Sequence, residues 1–198
     1  MSVRIEVLGG VLLRDHLEGL ARLRIEVFRD WPYLYDGSMA YEAEYLRGFS
    51  RQPGAVIVAA FDGDALIGAS TAAPLLGQAG YVTAPFTASG LPLERFFYFG
   101  ESVLLPQYRG QGIGVAFFAE REAAARRYGG IETCVFCAVQ RASDDPRKPM
   151  GATSLEPFWA RRGYRRWDGM MCSIVWQEIG GEGEIANNMQ FWRKDLHA

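Results

Sequence analysis

The sequence is poor in the residues on which several common functions depend. It has three cysteines and two histidines in 198 residues, too few for a disulfide framework or a histidine-rich metal site. No apolar run approaches the roughly 20 residues of a membrane helix, or the apolar region of a signal peptide. The formal charge is only −2, so no overall field attracts nucleic acid or an anionic membrane. These deficits predict a metal-free cytoplasmic protein that binds neither nucleic acid nor membrane.

Apolar side chains, by contrast, are plentiful. They make up 49% of the chain, and aromatic residues make up 13%, which is enough to build a core and excludes intrinsic disorder. No repeat, charge block or Pro/Ser-rich linker divides the sequence, and most domains have about 100–150 residues. We therefore expect one domain over residues 1–198.

Hydrophobic periodicity predicts an alternating series of strands and helices. Hairpins beside βαβ-type segments favour a mixed sheet with helices on both faces over a wholly parallel sheet. The stretch 74–92 has no clear period and predicts a long surface excursion or a substrate-lining loop. The expected strands are residues 3–7, 55–61, 65–71, 95–105, 131–139, 170–178 and 189–194, and the expected helices are residues 12–28, 38–49, 112–128 and 155–162.

The most informative segment is residues 104–114, Leu-Leu-Pro-Gln-Tyr-Arg-Gly-Gln-Gly-Ile-Gly. It links an expected strand to an expected helix, and its glycines let backbone N–H groups approach an anion at the positive end of that helix. A Walker loop needs Gly-Lys-Ser/Thr, whereas Val115 and Ala116 follow Gly114. A Rossmann fingerprint needs a glycine at position 115 or 117, and neither residue is a glycine. The segment predicts a phosphate cradle of another type, with a helix start that binds nothing as the alternative.

The segment resembles the acyl-CoA signature of the GNAT superfamily of N-acetyltransferases, Arg/Gln-x-x-Gly-x-Gly/Ala after a strand, which Arg109, Gly112 and Gly114 match. The order of elements over nearly the whole chain extends the resemblance, as does the stretch 158–164, which is similar to the family's late helix. The resemblance implies an α/β (α+β) fold with a mixed, mostly antiparallel sheet of about six or seven strands and helices on both faces.

The same resemblance implies an enzyme that transfers an acetyl or short acyl group from acetyl-CoA to a primary amine. The transfer would be direct and metal-free, and a small-molecule acceptor is expected. The alternative is a GNAT-fold module that binds acyl-CoA without turning it over. The sequence leaves open a homodimer formed through an edge strand.

The resemblance also implies which residues bind the co-substrate, acetyl-CoA or coenzyme A. Amides from about residue 111 to 114 would hold the pyrophosphate, and the pantetheine arm would lie along residues 102–105. An amide near Ser102 or Val103 would face the thioester oxygen. The basic stretch 161–166 would reach the 3′-phosphate or form a solvated helix end. The expected binding residues are Ser102, Val103, Leu104, Leu105, Arg109, Gly110, Gln111, Gly112, Ile113, Gly114, Phe158 and Arg161.

Direct transfer needs a base that takes a proton from the amine. Glu101, a carboxylate on an otherwise apolar strand, is the expected base, with an ion pair to a nearby arginine as the alternative. Tyr98 on the same strand is expected to relay a proton or shape the pocket, or else to pack. Trp159 stands where many family members carry a tyrosine as general acid, so the acid is unassigned.

Other candidate residues have competing explanations. Tyr33 and Tyr35 lie in a loop that often lines the acceptor pocket in the family, although simple packing would also account for them. Cys134 and Cys137 are three apart on a strand and therefore face opposite ways, which predicts core packing, and Cys172 stands alone. The two histidines, His16 and His197, are not expected to form a site.

Overall fold

The structure is a computed structural model that describes residues 3–8 and 10–196, and the side chains of these residues except 10–14. Its centre is a seven-stranded sheet in the order β1-β2-β3-β4-β5-β7-β6. All neighbouring strands are antiparallel except β4 and β5, which are parallel. The predicted mixed, mostly antiparallel sheet is confirmed. The strands are β1 (Val3–Leu8), β2 (Val56–Asp62), β3 (Ala65–Pro74), β4 (Phe96–Leu104), β5 (Thr133–Val139), β6 (Arg165–Gln177) and β7 (Glu184–Asp195).

Helices cover both faces of the sheet, as predicted. Side chains alternate along β4, so Phe97 and Phe99 join the core beneath α4, while Phe96 and Tyr98 face the other side. On that other side α1 and α2 cover strands β2 and β3. The helices are α1 (Gly10–Phe28), α2 (Met39–Ser50), α3 (Gly80–Ala88), α4 (Ile113–Tyr128) and α5 (Glu156–Arg161).

The expectation of a surface excursion at residues 74–92 is wrong. The nine-residue helix α3 lies there, and Phe86 within it is fully buried. The Phe86 ring meets Phe96 and Phe191 at centroid distances of 5.1 and 5.0 Å. A helix this short, with Pro85 inside it and small or apolar residues on every side, shows no helical period. Its packing against the sheet, and not its propensity, fixes it.

The last two strands are longer than expected. The pairing of β6 with β7 is interrupted between Arg166 and Met171, which hides the period of two in the sequence. Among the helices that the structure describes, none combines the length and apolar character needed to cross a bilayer.

Candidate active site

The glycine-rich turn ends in a helix whose first amides are uncapped. After β4 a short 3-10 turn spans Pro106–Tyr108, and α4 then begins at Ile113. Gly110 and Gly112 have φ values of 78° and 86°, in a region that costs a residue with a side chain roughly 1–2 kcal/mol. Gly112 is the N-cap, and within the described residues no side chain caps this helix. Free N–H groups at its positive end form a cradle for an anion.

Gly114 serves a different purpose from the other two glycines. A Cβ on Gly114 would lie 3.3 Å from Phe158 Cζ, whereas one on Gly110 or Gly112 would meet nothing within 4 Å. The missing Cβ therefore lets α5 pack against the start of α4. This packing places Phe158 beside the cradle, with Arg161 exposed at the end of the same short helix.

Tyr108 anchors the turn, a role that sequence analysis missed. Its hydroxyl donates to Asp62 Oδ2 at 2.9 Å, at the end of β2, and this bond raises the pKa of Tyr108. The exposed side chains of Arg109 and Gln111 instead bond to nearby carbonyls, with Arg109 Nε 3.4 Å from Leu104 O. No local pattern links Tyr108 to a partner 46 residues earlier.

Beside the cradle, the sheet opens. Within the described residues, β4 and β5 pair only where residues 96–98 of β4 meet residues 133–135 of β5. The edge of β4 that faces away from β3 is therefore unpaired from residue 99 onward. This gap between two parallel strands runs along the end of β4, and the cradle follows β4 in the chain, so an extended ligand bound there could pair with the β4 backbone.

Strand alternation shows which β4 amides point into the gap. The Leu105 N–H bonds to Ile67 O on β3 at 3.0 Å, and successive amides along a strand point to opposite sides. Val103 is opposite Ala69 and shares the direction of Leu105. The Ser102 and Leu104 N–H groups therefore face the gap. Their neighbours Val103 and Leu105 pack into the core beneath α1.

A β-bulge interrupts this alternation just before Ser102. Ser70 is opposite Ser102 but Ala72 is opposite Phe99, so Gly100 and Glu101 together oppose Thr71. The Glu101 N–H donates to Thr71 Oγ1 at 3.2 Å. Gly100 is needed here because a Cβ would lie 2.5 Å from that same oxygen. A bulge re-aims side chains, and this one directs the Glu101 carboxylate towards α1 and α2.

The Glu101 carboxylate enters a buried group of charges that we call the Arg24 cluster: Arg24 of α1, Glu42 and Tyr45 of α2, and Glu101. Arg24 forms ion pairs with both Glu42 and Glu101, although its contact with Glu101 Oε1 lacks hydrogen-bond alignment. The Tyr45 hydroxyl donates to Glu101 Oε2 at 3.1 Å. The alternative that Glu101 forms an ion pair with an arginine is therefore seen, and its role as a base stays a prediction.

One cation balances two carboxylates in this cluster, which leaves a formal charge of −1 in a place with little water. The side chain of Glu42 is fully buried, and those of Arg24 and Glu101 are 11% and 8% exposed. Burial alone would lower the pKa of Arg24, but Glu101 and Glu42 hold it above its ordinary value. The buried guanidinium of Arg121 on α4, 3.3 Å from the Glu101 carbonyl, balances this charge from the other side of β4.

Sequence analysis missed Arg24 and Glu42. The signal that could have found Arg24 is its position on the buried stripe of α1, four residues after Leu20 and four before Phe28. A charged residue on such a stripe requires a partner in the core. The same signal could have found Glu42, which lies four residues before Leu46 and seven before Phe49 on the buried stripe of α2.

The predicted tyrosines lie on the same face of the sheet as the Arg24 cluster. Tyr98 is buried, and its hydroxyl is 3.2 Å from Cys137 Sγ. Burial, followed by the nearby Cys137, raises the pKa of Tyr98 well above its ordinary range. Tyr33 packs on Phe28 with a centroid distance of 4.7 Å, and burial, followed by the nearby Glu42, raises the pKa of the half-buried Tyr35. These positions agree with both interpretations of Tyr33 and Tyr35, namely that they line the acceptor pocket or that they simply pack.

A second ion-pair group fixes the loop that carries Tyr33. Arg141 donates to the carbonyls of Pro32 and Tyr33 at 2.7 and 3.0 Å. Its Nη2 also lies 2.6 Å from the buried carboxylate of Glu178, which Arg147 contacts as well. The loops that follow α1 and β5 are thus joined into one wall beside the gap.

Solved structures share this architecture. The ribosomal-protein-alanine N-acetyltransferase from Brucella melitensis is 13% identical, with a TM-score of 0.62 over 96% of this chain and 99% of that one. The PaiA N-acetyltransferase from Thermoplasma acidophilum, solved in complex with coenzyme A, is 16% identical, with a TM-score of 0.55 over 98% and 99%. An acetyltransferase of the GNAT family from Streptococcus pneumoniae is 12% identical, with a TM-score of 0.59 over 98% and 99%. These likenesses show the fold alone.

A match to a family model shows the family membership that a shared fold alone does not show. The model described as the Acetyltransferase (GNAT) family matches residues 20–150, which include the second half of α1, the bulge and the cradle. The chain belongs to the GNAT acetyltransferase family. No curated protein matches the sequence of this GNAT chain. Membership accounts for the co-occurrence of an uncapped glycine turn and a sheet that opens beside it.

The late helix of this GNAT protein holds no apparent proton donor for the gap. Trp159 packs against Phe136 and Trp192 with centroid distances of 5.0 and 5.1 Å. Tyr164 is buried, donates to Glu122 at 3.2 Å, and has a pKa raised by burial. In the basic stretch, Arg165 pairs with Asp195, and Arg166 with Asp168.

The cysteines of the GNAT chain pack in the core. Cys134 and Cys137 lie in the clusters on opposite faces of the sheet, as predicted. Cys172, expected to stand alone, instead lies in the same buried cluster as Cys137, because β6 folds back on the same face. His16 packs on Phe61, and His197 lies outside the described residues. Among the residues described, no three His, Cys, Asp or Glu side chains converge as metal ligands.

Proposed function

We propose that this protein transfers an acetyl or short acyl group from acetyl-CoA to a primary amine, and that it does so as a single domain spanning residues 1–198. The observation that supports this most is the continuity of two features, the uncapped amides at residues 111–114 and the open edge of β4. The cradle suits a pyrophosphate because its glycines leave main-chain N–H groups bare. The open edge suits the amide-bearing pantetheine arm, which would pair like a short strand.

Main-chain groups would position the thioester. The Ser102 and Leu104 amides face the gap, which favours Ser102 over Val103 as the donor to the thioester oxygen. A donor placed there stabilises the negative charge that develops on that oxygen during attack. Arg109, Gln111, Phe158 and Arg161 would supply side-chain contacts around the cradle.

Glu101 would take the proton of the acceptor amine. The amine nitrogen forms a bond to the acyl carbon, the carbon–sulfur bond breaks, and the amine proton passes to the Glu101 carboxylate. The sulfur leaves as a thiolate and is protonated through water, because the Trp159 indole is too weak an acid to donate its proton, and Glu101 returns the amine proton to the same solvent. Arg24 holds the Glu101 carboxylate in place by an ion pair, and the Tyr45 hydroxyl donates a hydrogen bond to the same carboxylate.

The geometry favours a small cationic amine over a long peptide. Glu101 is recessed, and the wall tied together by Arg141 and Glu178 stands beside it. The Glu101 carboxylate itself would pair with an incoming ammonium. Residues 74–92 do not contribute a lid, because α3 is packed on the sheet.

A second candidate is a module that binds acyl-CoA without turnover. Two observations favour it: Trp159 replaces the expected tyrosine, and Glu101 is engaged by Arg24. Both candidates predict that acetyl-CoA raises the melting temperature. Only the enzyme releases free CoA thiol when acetyl-CoA is offered with polyamines, amino acids, aryl-alkylamines and short peptides, measured with a thiol reagent. An unshifted melting temperature would contradict both candidates.

A homodimer stays a prediction. The edges of the sheet are β1 and β6, so pairing would use one of these strands. Sedimentation velocity across a concentration series would measure it.

A further inference from the structure

Arg121 is a buried cation beside the bulge of β4. It lies on α4 and is only 2% exposed. Its guanidinium carbon lies over two aromatic rings, 4.3 Å from the Phe99 centroid and 4.8 Å from that of Phe118. Burial lowers its pKa to about 10, so it carries its charge at neutral pH.

Stability does not explain this residue. A buried charge loses several kcal/mol of hydration, and replacing buried ionic groups with apolar side chains of similar size is often neutral or stabilising. Phe99 and Phe118 would pack equally well on a methionine. The position therefore calls for an explanation in the hydrogen bonds that the guanidinium donates.

The Arg121 guanidinium donates two hydrogen bonds among the described residues. Nε donates to the carbonyl of Phe117, one turn earlier in the same helix, at 3.1 Å. Nη1 donates to the carbonyl of Glu101 at 3.3 Å. The second bond is the unusual one, because it joins α4 to the bulged peptide of β4.

The Glu101 carbonyl and the Ser102 N–H belong to the same peptide. In a trans peptide these two groups point in opposite directions within one plane, so a bond that fixes the carbonyl also fixes the N–H. The bulge has removed this peptide from regular pairing with β3. A donor from α4 replaces the constraint that the missing pairing would have supplied.

We propose that Arg121 is a positioning residue, which orients the Glu101–Ser102 peptide so that the Ser102 N–H meets the thioester oxygen. This inference rests on the proposed function, because it assumes that acyl-CoA lies in the gap. A charged donor on the carbonyl also polarises the peptide and makes its N–H a stronger donor. Arg121 thereby acts on the acyl group without touching it.

A binding comparison tests this without a known acceptor. Acetyl-CoA has the thioester carbonyl, and S-ethyl-CoA, a thioether of similar size, lacks it. Titration calorimetry measures the dissociation constants of both with wild type, Arg121→Met and the control Arg126→Met. Arg126 is on the same helix, is half-exposed, and pairs with Glu122, away from β4.

Wild type is expected to bind acetyl-CoA about tenfold more tightly than S-ethyl-CoA, the effect of one good hydrogen bond. In Arg121→Met this ratio falls to about one, while the affinity for S-ethyl-CoA stays within roughly threefold, since the pantetheine contacts remain. Arg126→Met keeps the wild-type ratio. If Arg121→Met does not fold, Arg121→Lys serves instead, and its shorter reach also lowers the ratio.

Three results would overturn the inference. An unchanged ratio in the folded variant, even with a lower melting temperature, would give Arg121 a purely structural role. A wild-type ratio near one, with tight binding of both ligands, would remove the Ser102 donor and leave the proposed function standing. Wild type that binds neither ligand would overturn the proposed function as well.

Discussion

The cradle and the Arg24 cluster are built in opposite ways. The cradle uses main-chain N–H groups from one continuous segment, residues 111–114, and the glycines at 110, 112 and 114 supply conformation and close packing. The Arg24 cluster uses side chains from α1, α2 and β4, and almost all of its atoms are buried. One region is local in sequence and the other exists only after folding.

This difference predicts how each region tolerates change. A site made from the backbone should depend on a few conformations and little on side-chain chemistry. A site made from buried charges should depend on every partner, because removing one leaves another unpaired. Substitutions in the two regions therefore test whether backbone conformation controls the first region and buried charge controls the second.

The largest effect is expected at Gly112. Its φ of 86° excludes a β-branched residue, so Gly112→Val should rotate the amides of the cradle away from the pyrophosphate. Each lost charge-assisted bond is worth about 1.5–3 kcal/mol, so acetyl-CoA affinity should fall at least roughly 100-fold. Calorimetry measures the affinity, and circular dichroism should show an unchanged fold.

Gly48→Ala is the matched control for the glycine substitution. Gly48 lies inside α2 with open space around it, so an added methyl group should stabilise the protein by about 0.5–1 kcal/mol and leave binding unchanged. If Gly112→Val bound acetyl-CoA normally, the cradle would not be the binding site.

Glu101→Gln should have the next largest effect, now on turnover. The amide keeps the size of the side chain but cannot accept the amine proton, so kcat should fall about 10²–10⁴-fold. The affinity for acetyl-CoA should stay nearly constant, because the cradle is untouched. Steady-state kinetics with an amine that wild type acetylates provides the measurement, and Glu94→Gln, at an exposed position, is the control. Unchanged turnover would exclude Glu101 as the base.

Arg24→Met tests the Arg24 cluster as a structural unit. The variant leaves two buried carboxylates without a counter-charge, so the free energy of unfolding should fall by about 3–5 kcal/mol. Adding Glu42→Leu should recover part of this loss. Urea unfolding measures both variants.

Arg22→Met supplies the contrast on the same helix. Arg22 pairs with Glu18, and both side chains are about 70% exposed, so its loss should cost no more than about 0.5 kcal/mol. Equal effects for Arg22 and Arg24 would show that burial does not distinguish the two ion pairs.

Of the two substitutions at the cradle, the one at Arg109 is expected to have the smaller effect. Its side chain is exposed and bonds only weakly to Leu104 O, so Arg109→Met should weaken acetyl-CoA binding by roughly threefold to tenfold. Calorimetry in parallel with Gly112→Val gives the comparison. A loss as large as that of Gly112→Val would mean that side chains, and not the main chain, provide most of the binding.

Several features follow from sequence alone, for a physical reason that is local. Strand and helix periods, the glycines at positions 110, 112 and 114, and the separation of Cys134 from Cys137 each depend on residues close together in the chain. The same holds for the placement of Glu101 on an apolar strand. The resemblance to the GNAT signature combined these local patterns and predicted the sheet.

Other features were decided by tertiary structure. The helix α3 is fixed by what Phe86 packs against, and Tyr108 by an aspartate on another hairpin. Arg24 and Arg121 are charged residues whose partners lie on other elements. Burial makes such partners obligatory, but a sequence pattern does not state which residues are brought together. The chain alone determined where backbone could meet an anion, and only folding determined which charges surround the acyl group.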